Sequence, residues 1–259
     1  MIRNRFSKAI LLTTLFLICF SFKAFNSNGS NSDNKEVKWN NYVSSIFSEL
    51  TGSKAGLKYE VFEKGLIGYY NLKNQDKISD KNILSIVDFS MSANKKRLWI
   101  INLATKKILY NSLVAHGRNS GQAYAKSFSN KPESYMSSLG FYVTGDTYYG
   151  KHKLSLRLLG MDPDYNDNAL DRAIVMHGAK YVSDSWIKKN GRLGRSLGCP
   201  AIPLEISNEV ISLLANGTCL FLYYPNKNYE NESALLQKSS IIEMFNNLES
   251  ESIAGYHLK

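Results

Sequence analysis

The chain has 259 residues, of which 44% are hydrophobic and 12% aromatic, and 32 Lys+Arg stand against 22 Asp+Glu for a net charge of +10. This is room for one sizeable domain with an appendage, and the apolar fraction excludes a disordered chain. Three cysteines exclude a disulfide-stapled mini-domain and a four-cysteine zinc ribbon, and no apolar run reaches the ~18–20 residues of a membrane-spanning helix.

Taken in chain order, residues 1–25 open with Arg3, Arg5 and Lys8 and continue into an apolar-rich stretch over 9–22. That is the layout of an export signal, with an uncleaved membrane anchor as the alternative, because Phe22 is not the small residue a cleavage site prefers. Without this segment the charge falls to +6. An exported basic chain meets an acidic cell envelope, and no RNA-binding motif, zinc finger or dense basic helix points to nucleic acid. Residues 26–81 read as a polar linker and a helical lead-in. Tyr42, Val43, Ile46, Phe47 and Leu50 recur at helical spacing, Thr51-Gly52 interrupts, and Tyr59, Phe62, Leu66, Ile67 and Tyr70 resume.

From residue 83 the period changes. Apolar runs over 83–89, 97–103, 107–115, 140–145, 155–159, 173–177 and 219–224 read as strands, with one helix over 204–214 behind Pro203. Many short strands with few helices predict a mainly β catalytic domain, a sandwich or barrel, over 82–226. Residues 227–259 read as a polar tail with a short helix. Asp162, Asp164, Asp167 and Asp171 lack the glycine and terminal glutamate of a calcium loop and read as a solvated loop, so no metal is expected.

The chemistry concentrates in two places. His177 ends a β-run, followed by Gly178, and Cys199 lies 22 residues on, in a tight Ser196-Leu197-Gly198-Cys199 turn. A thiol of pKa ~8.5 needs an imidazole or a cation beside it to become a nucleophile. Amides in such a turn can face a developing oxyanion, which is worth ~10²–10³ in rate per donor. Cys219 sits in an apolar run and reads as core, with a Cys199–Cys219 disulfide as the alternative.

These residues resemble the L,D-transpeptidase (YkuD-like) superfamily, whose members pair a strand-end His-Gly with a downstream Ser/Thr-His-Gly-Cys. The closer resemblance is to its murein L,D-transpeptidase catalytic domain branch. It is carried by Ser127-Phe128-Ser129-Asn130, Gly150-Lys151-His152, Arg172-Ala173-Ile174-Val175-Met176-His177-Gly178 and Arg195-Ser196-Leu197-Gly198-Cys199-Pro200. The resemblance implies a YkuD-like β-sandwich and an exported enzyme of the periplasm or cell envelope that acts on peptidoglycan stem peptides without a cofactor. It implies Cys199 as the acyl-accepting nucleophile, His177 as its base and Ser196 as a hydrogen-bonding turn residue. The amides of Leu197, Gly198 and Cys199 would form the oxyanion hole. His152, Gly178, Arg192 and Arg195 would meet the substrate. The acceptor would be a second stem amine, giving a 3→3 cross-link, or water, giving an L,D-carboxypeptidase.

The sequence departs from the superfamily in two ways. Leu197 stands where members commonly have His, and no arginine follows Arg195. Arg192 or Arg195 is therefore expected to take the carboxylate-binding or thiolate-stabilising role of a downstream arginine. The missing arginine also argues against a sortase, and the order His before Cys argues against a papain-like protease. A non-catalytic peptidoglycan-binding protein is the remaining rival. His116-Gly117 imitates His177-Gly178 and ranks behind His152, while Tyr148 and Tyr149 are candidates for an aromatic wall.

Overall fold

A computed structural model describes residues 28–243, with side chains from 36 onward. The expected export signal and His257 lie outside them. Two helices lead, α1 (Asn28–Glu49) and α2 (Tyr59–Asn74). Three strands follow, β1 (Ile83–Asp88), β2 (Leu98–Asn102) and β3 (Lys107–Ser112), and then a long hairpin of β4 (Gly140–Gly150) and β5 (Lys153–Gly160). The remaining elements are β6 (Val175–Ala179), α3 (Asp184–Asn190), β7 (Ala201–Pro203), α4 (Leu204–Leu214), β8 (Cys219–Tyr223) and α5 (Lys227–Glu232).

All eight strands join one mixed sheet in the order β3-β2-β1-β8-β4-β5-β6-β7. Its centre is buried on both faces, which is why β1 and β8 are buried at every position and read as mostly continuous apolar runs rather than alternating ones. Alternation then sorts the side chains. Leu84, Ile86, Trp99, Phe141 and Phe221 point to one core, which α1 and α2 cover. Ile83, Val87, Ile100, Leu158, Met176 and Leu220 point to the other, which α4 closes with Val210, Ile211 and Leu214. The sheet curls around this second core until its two ends meet: past β3, the Ala115 amide donates to the Ala201 carbonyl of β7 at 2.8 Å. The mainly β sandwich-like domain with a helical lead-in is thus present, as a nearly closed sheet with peripheral helices.

Two elements lack a sequence signal. Strand β7 has three residues, ends in a proline and is a strand only because β6 pairs with it. Helix α3 has no buried residue and so no apolar period to read; it rests on the Ser183 cap, whose Oγ accepts from the Trp186 amide at 3.2 Å. One reading is corrected. Asp162 is not solvated: it is 1% exposed and accepts from the Phe141 amide at 2.7 Å, the Tyr229 hydroxyl at 3.2 Å and the Ser233 hydroxyl at 2.5 Å. Those bonds, with Asn71 Nδ2 donating to the Leu235 carbonyl at 2.9 Å, tie α5 and the residues after it onto α2 and the sheet.

Helix α2 approaches the sheet closely at two glycines. A Cβ on Gly68 would overlap the Phe141 ring, and one on Gly65 would come within 2.9 Å of Ile86 Cδ1. Alanine at position 68 gains ~1 kcal/mol of helix propensity but must push apart a close-packed face, at a cost of ~1–3 kcal/mol. Gly68→Ala is therefore expected to lower the urea midpoint with an unchanged m-value; an unchanged or higher midpoint would contradict this packing.

Candidate active site

Register places the two reactive groups. In the parallel pairing of β6 with β7, His177 lies opposite Ala201. Two residues back along each chain are Val175 and Cys199. The Val175 amide indeed points at Cys199 Sγ, at 3.5 Å, and Sγ also contacts the Ala173 carbonyl at 3.8 Å. His177 does not end its strand, as the sequence suggested. It is the middle residue of β6, 2% exposed, because β7 extends the pairing to Ala179. Thiol and imidazole line one cavity of about 400 Å³ without a hydrogen bond between them.

His177 Nδ1 lies 3.1 Å from the Gly178 carbonyl. A carbonyl only accepts, so the neutral ring carries its proton on Nδ1 and the lone pair on Nε2. Burial pushes the imidazole down to about 4, with the Gly178 carbonyl opposing and His152 adding to the fall. His152, in the turn of the β4–β5 hairpin, stacks on the His177 ring with centroids 4.0 Å apart and planes 20° apart. It lines the cavity, as does Tyr148 from the same hairpin; Tyr149 is 81% exposed and does not.

The cysteine turn is held from three sides. Ser196 Oγ donates to the Cys199 carbonyl at 2.6 Å and accepts from the Gly198 amide at 3.1 Å. The Ser196 amide donates to the His116 carbonyl at 2.9 Å, and Ser137 Oγ donates to the Gly198 carbonyl at 3.0 Å. Gly198 has a φ of +129°, and a Cβ there would crowd Ile174 Cδ1 and the Met136 carbonyl, so no other residue fits this turn. Because the Gly198 amide is engaged by Ser196, the amides left for an oxyanion are those of Leu197 and Cys199.

The charge nearest the thiol is neither Arg192 nor Arg195. It is Arg172, whose guanidinium donates to the Met136 carbonyl at 2.7 Å, the Ser129 carbonyl at 2.8 Å and the hydroxyls of Ser134 and Ser138. Burial raises the Cys199 thiol; the Val175 amide, then Arg172, pull it back, so it stays above its ordinary 9.0. Arg172 stands in the 172–178 block already noted, which was the signal available for it. Arg195 lines the thiol cavity but spends Nη1 on the carbonyls of Arg118 at 2.8 Å and Gly121 at 3.0 Å. Arg192 lines a neighbouring cavity instead. Gly178 faces away from the thiol cavity, where a Cβ would strike Ser207 of α4. Leu197 is 56% exposed at the cavity mouth.

His116 is a structural residue. Wholly buried, it accepts at Nδ1 from Arg97 at 2.8 Å, and its Nε2 lies 3.4 Å from the Gly121 carbonyl. Cys199 and Cys219 are both free thiols, Cys219 buried in β8. Among the described residues no group of three or more His, Cys, Asp and Glu forms a metal site, and no helix is long and apolar enough to cross a membrane.

The L,D-transpeptidase catalytic domain family matches residues 53–223, from the loop before α2 to the end of β8. The chain belongs to this family, the YkuD-type L,D-transpeptidase catalytic domains. Among solved structures it is similar to an L,D-transpeptidase from Mycobacterium smegmatis, at 11% identity over 55% of this chain and 59% of that one, with a TM-score of 0.35. It is also similar to the helical cell shape determining protein Pgp2 from Campylobacter jejuni, at 15% identity over 67% and 60%, with a TM-score of 0.35. A third is an L,D-transpeptidase from Stackebrandtia nassauensis, at 16% identity over 63% and 66%, with a TM-score of 0.32. The chain thus spans less than two thirds of the length of the first of these. No curated protein matches it significantly.

Two pH effects follow from this burial. His116 and His177 both titrate near 4 in the fold against 6.5 ordinarily, so between these values the unfolded chain takes up protons that the folded chain refuses. Stability is full above pH 6.5 and declines as pH falls to about 4, by on the order of 3 kcal/mol per ring. Asp162, whose carboxyl is raised by burial, works in the opposite sense. Melting temperature should fall from pH 7 to 4, and His116→Gln should flatten that slope. Separately, the rate of Cys199 alkylation by iodoacetamide should keep rising through pH 9. A plateau below pH 7 would instead mean a resting thiolate–imidazolium pair.

Proposed function

We propose that the chain is an exported, cysteine-dependent peptidoglycan L,D-transpeptidase of the periplasm or cell envelope. The observation that carries this reading is the β6–β7 register, which puts Cys199 and His177 on one cavity in a chain of this family. The basic, apolar pattern of residues 1–25 supports export, with an N-terminal membrane tether where that segment is retained.

In this reading Cys199 Sγ attacks the carbonyl between the L-centre of the third stem residue and the terminal D-alanine. His177 Nε2 takes the thiol proton as the C–S bond forms, and the amides of Leu197 and Cys199 receive the oxyanion. The C–N bond then breaks, His177 returns the proton to the departing D-alanine amine, and a thioester remains. The amine of a neighbouring stem attacks the thioester, His177 accepts its proton, and the thiol is released with a 3→3 cross-link formed. Water in place of that amine would give L,D-carboxypeptidase chemistry. Because both groups rest neutral, proton transfer accompanies attack rather than preceding it. Ser196 and Arg172 act by position, one shaping the turn and the other favouring the thiolate as it develops.

Incubation with disaccharide-tetrapeptide, followed by mass spectrometry, tests the reading. Loss of D-alanine with a 3→3 dimer is expected, or with a tripeptide product where water is the acceptor. Cys199→Ala should abolish both, and His177→Gln should lower the rate ~10²–10⁴-fold. Absence of D-alanine release by the folded protein would leave the non-catalytic binding role.

A further inference from the structure

Beside the thiol cavity lies a second cavity of about 270 Å³, walled by Arg118, Arg192 and Arg195 together with Tyr181, Trp186 and Asn190. Tyr181 and Arg195 line both cavities, so the two are contiguous. No acidic residue lines the second cavity. Among the described residues none of its three arginines forms an ion pair with a carboxylate; the one ion-paired arginine, Arg157 with Asp146, lies elsewhere.

The three side chains are oriented without being neutralised. Arg195 Nη1 donates to the carbonyls of Arg118 and Gly121, Arg192 Nη1 donates to the Leu193 carbonyl at 2.9 Å, and the Arg118 guanidinium lies 4.3 Å from the Tyr135 ring centre. Carbonyls and an aromatic ring fix direction while leaving the charge and several N–H donors of each guanidinium unspent. The like charges are felt: Arg195 is held below its usual value by burial and then by Arg192 and Arg118. A solvated basic surface would spread such charges on flexible lysines. Here they converge on a concavity that also holds the exposed Trp186, at the edge of the thiol site.

We propose that this cavity is an anion subsite that binds a ligand carrying at least two carboxylates immediately beside the reacting thiol. Planar guanidinium forks suit carboxylates bidentately, and three of them exceed what a single carboxylate neutralises. Resting on the transpeptidase reading, the ligand is the carboxylate-bearing part of a stem peptide. Two sources share that chemistry. One is the donor, whose terminal carboxylate is three bonds from the carbonyl under attack. The other is the acceptor stem, which must enter beside the thioester.

The binding test needs no turnover. The full chain carrying Cys199→Ala is titrated with N-acetyl-D-glutamyl-D-alanine, which has two carboxylates, and with its diamide, reading the fluorescence of Trp186. Trp186→Phe identifies the signal, since Trp39 and Trp99 are buried. At least tenfold tighter binding of the diacid is expected at low salt, with the advantage shrinking as salt rises. Arg118→Gln and Arg192→Gln should each reduce it several-fold. Equal binding of diacid and diamide on the otherwise unaltered cavity would overturn the subsite, as would a diacid affinity indifferent to both substitutions.

Steady-state transfer then separates the sources. Arg118→Gln should raise KM at least fivefold for the tetrapeptide donor if the donor's carboxylates occupy the cavity. It should raise KM for the amine acceptor if the acceptor's do, with kcat changed far less. Unchanged KM for both would overturn the assignment to stem peptides. Diacid binding by a protein that releases no D-alanine would overturn the proposed function and uphold the anion subsite.

Discussion

A parallel ladder of three residues between β6 and β7 determines where chemistry can occur in this protein. Cys199 belongs to a turn and His177 to a strand, and neither is near the other along the chain. What brings them to one cavity is that His177 is level with Ala201, so that the turn leading into β7 sits beside the start of β6. The same strand closes the sheet, because the Ala201 carbonyl accepts from the Ala115 amide beyond β3. Curvature of the sheet, burial of its second core and position of the thiol are therefore one structural event. A slip of one residue in β7 would turn Cys199 away from Val175 and open the seam together.

The site is built by burial more than by charge. Burial holds His177 neutral, and the thiol is raised above its ordinary value although Arg172 faces it. A resting thiolate would need a stronger cation or a charged imidazole, and the interior opposes both. Arg172 is already spent on the carbonyls and hydroxyls of residues 129–138, which keeps that loop against the Cys199 turn. Lys151, Arg172 and Arg195 also line the thiol cavity, and one cavity away Arg118 and Arg192 join Arg195, oriented by main-chain carbonyls and Tyr135. The thiol and imidazole thus rest neutral within a cationic surround.

Much of the fold was legible because its strands are buried on both faces. The run 219–224 is apolar or aromatic throughout and 83–89 is broken only by Ser85 and Asp88, and α2 keeps its helical spacing through Gly65 and Gly68. Where the physical signal is absent the reading stops. Helix α3 buries nothing, and β7 has too few residues to show a period. Asp162 looked solvated because its partners Tyr229 and Ser233 lie about 70 residues away in a segment that reads as polar.

The amino-acid order by itself determined the chemistry available: a thiol after a glycine in a tight turn, a histidine in an apolar strand, and a family pattern linking them. These are local facts, set by residue type and near spacing. Only the tertiary structure decided which arginine faces the thiol, that the Gly198 amide is taken by Ser196, that Gly178 packs on α4 rather than on substrate, and that Arg118 joins Arg192 and Arg195. Those outcomes depend on which strands pair and how far the sheet curls. Register and closure are properties of the whole packed core, which no single segment encodes.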